Sequence, residues 1–416
     1  MTTHPASEPP VQASFFGLGI APQILETLDR MKFHVPTPIQ QKAIPIGIEG
    51  QDVIGIAQTG TGKTLAFGIP MIQRLAQLKG RGLILVPTRE LALQVHQSLH
   101  KISSQTRFAV LIGGASMNNQ IQELRAHPRI LIATPGRLID HMEQRHVSLD
   151  DIAILVLDEA DRMLDMGFAP QIHIILRKVP RDRQTMLFSA TMPESIMKIA
   201  ASQMKLPISV EIAKSGTVAE KITQEVFIVK KEAKRQLLAK VLAQYHGTIL
   251  IFTRTKIGAH KVTRAIREMG QNAAEIHADR SLAQRREALD GFKAGKYRVL
   301  VATDIAARGI DVKGIELVIN YDLPDESENY VHRIGRTGRI GDKGHAIAFA
   351  TPEQGKDVKD IERVMRTALP IAEHPEMPLE NFIPHKPVVV ASFTGRSFRR
   401  GRRSRGFIAP GFRGRR

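Results

Sequence analysis

Short, continuous apolar runs punctuate the chain, and longer stretches with apolar residues at helical spacing separate them. In the first half the runs cover residues 53–57, 83–86, 130–133, 154–157, 186–188 and 208–212. In the second half they cover 223–229, 249–252, 274–277, 299–302, 317–321 and 346–350. Runs that stay apolar rather than alternating predict strands buried on both faces, as in parallel sheets covered by helices. Their alternation with helices predicts an α/β fold of doubly wound parallel sheets. A polar stretch, 213–221, containing Ser215-Gly216-Thr217, separates six runs from six. It predicts two similar domains, 16–212 and 222–369, joined by a linker over 213–221. Residues 1–15 are polar and are expected to be flexible. Five prolines between 370 and 387 preclude a regular helix there. Residues 370–416 are therefore expected to form a tail, Pro-containing and then Arg/Gly-rich, without fixed structure of its own.

Composition narrows the class. Of 416 residues, 43% are apolar and 24% charged, which is ordinary globular usage. There is no Cys, which excludes disulfides, a catalytic thiol and zinc sites built on thiolates. No apolar run approaches the roughly 20 residues that span a bilayer. The N-terminal residues lack the basic and apolar regions of a secretory signal. A soluble, cytoplasmic protein is expected. Net charge is +18, and residues 386–416 carry ten Lys or Arg and no acid, leaving only +8 for the rest. Basic charge gathered in a Gly-rich, Phe-dotted tail points to a polyanionic partner. A solubilising tail is the plainer alternative.

Two motifs carry chemistry on their own. Ala57-Gln58-Thr59-Gly60-Thr61-Gly62-Lys63-Thr64 follows an expected strand and opens an expected helix. Glycines let backbone N–H groups face a phosphate, and the helix N-terminus adds a favourable dipole. Lys63 can reach β- and γ-phosphates, and the Thr64 hydroxyl can bind Mg²⁺. Ala57 stands where the usual pattern begins with Gly. About 95 residues on, an apolar strand ends in Asp158-Glu159-Ala160-Asp161. Asp158 can share the Mg²⁺ that Thr64 touches, most simply through water, and Glu159 can act on an attacking water.

Asp158-Glu159-Ala160-Asp161 spells the signature of the DEAD-box ATP-dependent RNA helicases, and the chain resembles that family from about Phe16 to Ala368. Phe33 and Pro36-Thr37-Pro38-Ile39-Gln40 resemble its Q motif, although Lys32 stands where a Gly commonly precedes the aromatic. Pro87-Thr88-Arg89-Glu90-Leu91-Ala92, Gly113-Gly114 and Thr134-Pro135-Gly136-Arg137 look like its RNA-contact motifs, and Ser189-Ala190-Thr191 like its coupling motif. Arg254, Ala302-Thr303-Asp304, Arg308-Gly309-Ile310-Asp311 and His332-Arg333-Ile334-Gly335-Arg336-Thr337-Gly338-Arg339 follow in family order.

The resemblance implies tandem RecA-like domains that hydrolyse ATP with Mg²⁺ while gripping RNA. It implies catalytic roles for Lys63, Glu159, Arg336 and Arg339, the two arginines acting as fingers from the second domain. ATP would be held by Phe33, Gln40, Gln58, Thr59, Gly60, Thr61, Gly62, Lys63, Thr64 and Asp311. The RNA backbone would meet Thr88, Arg89, Gly114, Thr134, Arg137, Arg254, Arg285 and Thr303. Ser189 and Thr191 would couple the two sites. One departure stands out: Leu282 occupies the position, three residues before Arg285, where the family often has Gln. The short chain and basic tail suggest the bacterial RhlE-like group. From other classes, an RNA annealing clamp driven by the tail and a DNA-directed translocase remain as alternatives.

Overall fold

The structure, a computed structural model, describes residues 14–58, 60–212, 222–307, 312, 314–338 and 344–383. All twelve expected runs become strands, and two more join them. The first sheet contains β1 (Val53–Ile56), β2 (Arg81–Leu85), β3 (Phe108–Leu111), β4 (Ile130–Ala133), β5 (Ile152–Asp158), β6 (Gln184–Ser189) and β7 (Ile208–Glu211). The second contains β8 (Ile222–Ile228), β9 (Thr248–Thr253), β10 (Ala273–Ile276), β11 (Val299–Thr303), β12 (Ile315–Asn320), β13 (Gly344–Ala350) and β14 (Ile371–Ala372). The strand orders are β3-β4-β2-β5-β6-β1-β7 and β10-β11-β9-β12-β13-β8-β14. Pairing is parallel throughout the described residues. Two doubly wound sheets with the same strand order make the chain a pair of RecA-like lobes.

Side chains alternate in direction along each strand, and both faces are covered. Ile84, Ile132, Val156 and Phe188 enter one apolar core of the first lobe, whereas Leu83, Leu131, Leu155 and Leu187 enter the other. The second lobe repeats this, with Leu250, Leu300 and Val318 on one face and Ile249, Val299 and Leu317 on the other. Fully burying such a side chain contributes about 1.5–3 kcal/mol, so these strands cannot tolerate the polar alternation of a half-exposed sheet.

The two unexpected strands lie at sheet edges. β3 is buried only at alternate residues, so it lacks a run of two-faced apolar burial. β14 has two residues and follows Pro370, whose carbonyl accepts from Val226 N–H at 2.9 Å. Packing therefore continues past the expected boundary at residue 369. Phe382 lies against the second-lobe core, and Ile383 N–H donates to the Pro352 carbonyl at 2.8 Å. The expected linker, 213–221, and the basic segment from 384 onward lie outside the described residues.

Candidate functional site

In an open parallel sheet, ligands bind beyond the carboxyl ends of the strands. The strand order decides which motifs share a corner there. β5, β6 and β1 are neighbours, so Asp158 at the end of β5, Ser189 at the end of β6 and the phosphate loop after β1 lie side by side. β2, β4 and β3 occupy the other half of the same edge and carry Thr88, Thr134 and Gly114.

At the first corner, Gly60 and Gly62 adopt φ of 86° and 89°, which a side chain would resist. Gly62 leads directly into the helix Lys63–Leu75, whose first N–H groups face the loop. Lys63 is buried and its Nζ donates to the Ala57 carbonyl at 2.9 Å. Thr61 Oγ1 donates to the Gln58 carbonyl at 2.7 Å, and Thr64 is half-buried. Gln40 braces the loop from the side. Its Nε2 donates to the Gly62 carbonyl at 3.0 Å, and its Oε1 accepts from Thr37 N–H at 2.9 Å, closing a capping box. One amide proton and one lone pair of Gln40 are left for a ligand. Phe33 is 43% exposed at the mouth. Lys32 takes φ of 61°, so the position favours Gly and accepts lysine at a cost of about 1 kcal/mol.

The carboxylates sort into different jobs. Asp158 is fully buried and accepts from Glu159 N–H at 3.0 Å. Burial pushes its carboxyl up to about 7; the Lys63 charge pulls it back, and the Glu159 charge adds to the rise. A buried carboxyl this uneasy as an anion suits a hard divalent cation that also takes phosphate oxygens. Glu159 sits in the left-handed region at φ 52°, and its Oε2 accepts from Arg162 Nη1 at 2.8 Å. Such strain in a non-glycine residue is typical of functional positions.

Asp161, which the sequence reading left without a role, is the hub. Its Oδ2 accepts from Ala190 N–H (3.0 Å), Thr191 N–H (2.9 Å) and Thr191 Oγ1 (3.1 Å). Its own N–H donates to Ser189 Oγ at 3.2 Å. Burial works to raise this carboxyl, but the Lys63 charge and the amide donors outweigh it and hold it below the usual range. Arg162 was missed as well. The spacing of three between Glu159 and Arg162 on one helical turn was the available signal.

At the second corner, Thr88 caps the helix Arg89–Ile102, accepting from Leu91 N–H at 3.2 Å. A Cβ on Gly114 would lie 2.2 Å from Arg89 Nη1, so glycine lets the guanidinium approach. Thr134 precedes the helix Pro135–Glu143, and Arg137 reaches the Ala115 carbonyl at 3.4 Å. From the second lobe, Arg285 joins this group through Glu90, at 2.8 Å. Arg89 is lowered from its ordinary value by burial, then by the Arg285 charge, with Arg137 adding to it and Glu90 opposing it. Three guanidiniums thus converge where a phosphodiester backbone can neutralise them.

The second lobe carries the remaining candidates. Arg254 follows β9, its N–H donating to Asp322 Oδ2 at 3.1 Å and its Nε lying 3.2 Å from Asp325. Thr303 ends β11, half-buried. Arg336 is buried, its Nε donating to the His332 carbonyl at 3.3 Å. Thr59, Asp311 and Arg339 lie outside the described residues. Arg333, part of the same motif, is structural: it clamps Asp304 with two bonds of 2.6 Å and also reaches Asn320 and the Asp322 carbonyl.

A phosphate loop with a buried carboxylate pair, set on the first of two RecA-like lobes, defines a nucleoside-triphosphatase of the tandem-lobe motor type. Residues 37–199 match the model of the DEAD/DEAH box helicase family, and residues 232–341 match that of the helicase conserved C-terminal domain. The ATP-dependent RNA helicase CshA of Listeria monocytogenes is 44% identical over 85% of this chain and 69% of its own. The ATP-dependent rRNA helicase RRP3 of Debaryomyces hansenii is 42% identical over 86% of this chain and 76% of its own. Among solved structures, S. cerevisiae Dbp5 bound to RNA and ADP BeF3 has a TM-score of 0.77 at 30% identity, covering 86% of this chain and 95% of that one. This chain belongs to the DEAD-box ATP-dependent RNA helicase family. The expected RhlE-like subgroup finds no support in these relatives' names. Among the described residues, no helix is long and apolar enough to cross a membrane.

Proposed function

We propose that the chain binds ATP at the β1–β6–β5 corner and RNA along the β2–β4–β3 edge, and remodels short RNA duplexes as its lobes close and reopen. It is an RNA-dependent ATPase and helicase. The observation that carries the assignment is the buried Lys63–Asp158–Glu159–Asp161 corner, with Asp161 wired to Ser189 and Thr191.

Phe33 stacks on adenine, and the free amide proton and lone pair of Gln40 read its edge. The amides of residues 58–64 cradle the phosphates, and Lys63 leaves the Ala57 carbonyl for the β- and γ-phosphates. Thr64 and Asp158 would hold Mg²⁺, which when bound would neutralise phosphate charge. Glu159, its rotamer fixed by Arg162, orients a water and takes its proton as the oxygen bonds to the γ-phosphorus and the bond to ADP breaks. Arg336 and Arg339 bring positive charge to that phosphate on closure, and Asp311 holds the ribose. Asp161 transmits the state of this corner through Ser189 and Thr191.

On the RNA side, Thr88, Arg89, Gly114, Thr134, Arg137, Arg254, Arg285 and Thr303 grip sugar and phosphate, so binding is largely independent of sequence. We take 16–212 and 222–369 as the lobes, the second extended by the packing of β14, Phe382 and Ile383, with 213–221 as the linker. Residues 386–416, with ten positive charges and four phenylalanines, add RNA affinity that falls steeply with salt. We place the protein in the cytoplasm. The RhlE-like grouping rests on the chain length and tail alone.

ATP hydrolysis measured with single-stranded RNA, single-stranded DNA or no nucleic acid tests the reading. Stimulation by RNA of tenfold or more, on the order of the stabilisation a few phosphate contacts supply, is expected. Equal stimulation by DNA points to the translocase. Unstimulated turnover together with tight RNA binding points to the clamp.

A further inference from the structure

β3 closes the first sheet, so one side of its backbone faces no strand. Backbone groups on such an edge need partners from elsewhere in the fold. The helix Met117–Arg125 supplies them from two side chains three residues apart on one face. Glu123 Oε2 accepts from Val110 N–H at 3.0 Å. Gln120, only 3% exposed, takes both groups of Ile112: its Oε1 accepts from the N–H at 3.2 Å, and its Nε2 donates to the carbonyl at 3.0 Å. This amide does for Ile112 what a neighbouring strand would do. Its Nε2 also reaches the Ser116 carbonyl at 3.4 Å. The span enclosed by these bonds, 112–116, carries Gly114.

The backbone settles which way that amide points, since a flipped Gln120 would set donor against donor at Ile112. Oε1 therefore also accepts from His141 Nε2, which lies 3.1 Å away on a fully buried ring. Burial, and then the His146 and Arg137 charges, hold this imidazole below its ordinary value against the opposing Asp140. The ring is neutral, and its one hydrogen sits on Nε2. Its Nδ1 is buried without a partner. His141 belongs to the same helix as Arg137, which reaches the Ala115 carbonyl at 3.4 Å. Two links thus tie this helix to the 112–116 span. A phosphate can draw Arg137 off its carbonyl; the buried link through His141 and Gln120 stays. We propose that Gln120 and His141 are positioning residues for RNA, holding the span that carries Gly114 in register with the helix that carries Arg137. Both motifs then meet the strand already ordered, which spares binding the cost of ordering them. The proposal rests on the RNA reading above.

The test uses the full chain. Nitrogen NMR of the His141 ring in the parent is expected to show a neutral imidazole with its hydrogen on Nε2; a hydrogen on Nδ1 instead overturns the link. His141→Leu keeps the bulk and removes the donor. The concentration of a homopolymeric single-stranded RNA giving half-maximal ATPase is expected to rise about fivefold, the effect of one buried hydrogen bond lost, while turnover at saturating RNA stays unchanged. Hydrogen exchange at the Ile112 amide should quicken by a similar factor. His141→Gln, whose amide can donate to the same oxygen, is expected to stay within about twofold of the parent in both measurements. An unaltered RNA requirement in His141→Leu overturns the proposal and leaves the RNA reading intact. Equal losses in the Leu and Gln variants, or lost turnover at saturating RNA, overturn it too, because the histidine then serves the fold at large. A parent ATPase indifferent to RNA overturns the RNA reading as well, and is told apart because no variant is needed to see it.

Discussion

The two lobes run their strands in the same order, β1 corresponding to β8, β5 to β12 and β6 to β13, yet only one holds a nucleotide corner. In the first lobe β1 runs into the glycine loop and β5 ends in Asp158, followed by Glu159. In the second, β8 is followed by Val229-Lys230 and a short 3-10 turn, and β12 ends in Asn320. Cations sit in both places. Lys63 leans on a single backbone carbonyl, and a phosphate can take its place. Lys234 donates to the Tyr321 carbonyl at 2.6 Å and pairs with Asp322 at 3.2 Å. Arg333 spends its guanidinium on Asp304, Asn320 and the Asp322 carbonyl, with the Phe252 ring 5.1 Å away. A buried charge satisfied by its own protein stabilises the fold; one left half-satisfied awaits a ligand. The other edge is duplicated more faithfully, since Thr88-Arg89 after β2 matches Thr253-Arg254 at β9, and Thr134 after β4 matches Thr303 on β11.

That contrast predicts opposite consequences for equivalent lesions. Glu159→Gln should lower ATP turnover by about 10²–10⁴-fold while ATP and RNA binding persist, since the lesion removes a proton acceptor and no phosphate contact. Steady-state hydrolysis within a few-fold of the parent would remove Glu159 from the chemistry. In the other lobe, Arg333→Ala should cost about 3–5 kcal/mol of stability by orphaning the half-buried Asp304 and the buried Asn320. Denaturant unfolding followed by a probe on each lobe should place that loss in the second. A matched loss in both lobes breaks the comparison.

Smaller effects sharpen it. Gln40→Ala removes a base-edge contact and a brace on Gly62, so ATP should bind less well and its margin over GTP should shrink by about 1–3 kcal/mol. Competition binding with an unchanged ATP/GTP ratio would leave Gln40 as a brace only. Acid sensitivity should differ as well. His96 and His141 in the first lobe are lowered from their ordinary value by burial, then by His100 and His146 respectively; His277 in the second is lowered by burial. A histidine with a depressed folded-state pKa contributes stability above about 6.5 that is lost as pH falls below it, because the unfolded chain binds the proton more readily. His141→Gln should therefore flatten the first lobe's loss of stability between about pH 6.5 and 5. Hydrogen exchange on each lobe at the two pH values checks it.

Much of the molecule was legible in the sequence because burial on both faces leaves an unbroken apolar run, and every such run became a strand. Phosphate-loop glycines and the Asp158-Glu159 pair were legible because phosphate chemistry fixes their residue types at fixed spacing. Edge strands β3 and β14 were not, since alternate burial in one and a two-residue length in the other leave no run to read. Asp161 was quoted within a motif yet given no task, because its partners Ser189 and Thr191 lie 28 and 30 residues away and meet it only where β5 and β6 pair. Lys32 shows the reverse: its departure from glycine was visible in the sequence, but only the backbone angle of 61° gives it a cost.

By itself, then, the sequence determined the strands, the phosphate loop and the residue types that ATP and RNA demand, since these depend on local pattern and on the ligands' own chemistry. Tertiary structure decided what each residue is free to do. Strand order separated a nucleotide corner from a nucleic-acid edge, and side-chain partners consumed Arg333 and Lys234 while leaving Lys63 exchangeable. It also decided the place of Leu282, visible in the sequence only as a departure from the family pattern and set by the fold against the first-lobe core. Partnership between residues far apart in the chain depends on which surfaces the fold brings together, and no local pattern encodes that.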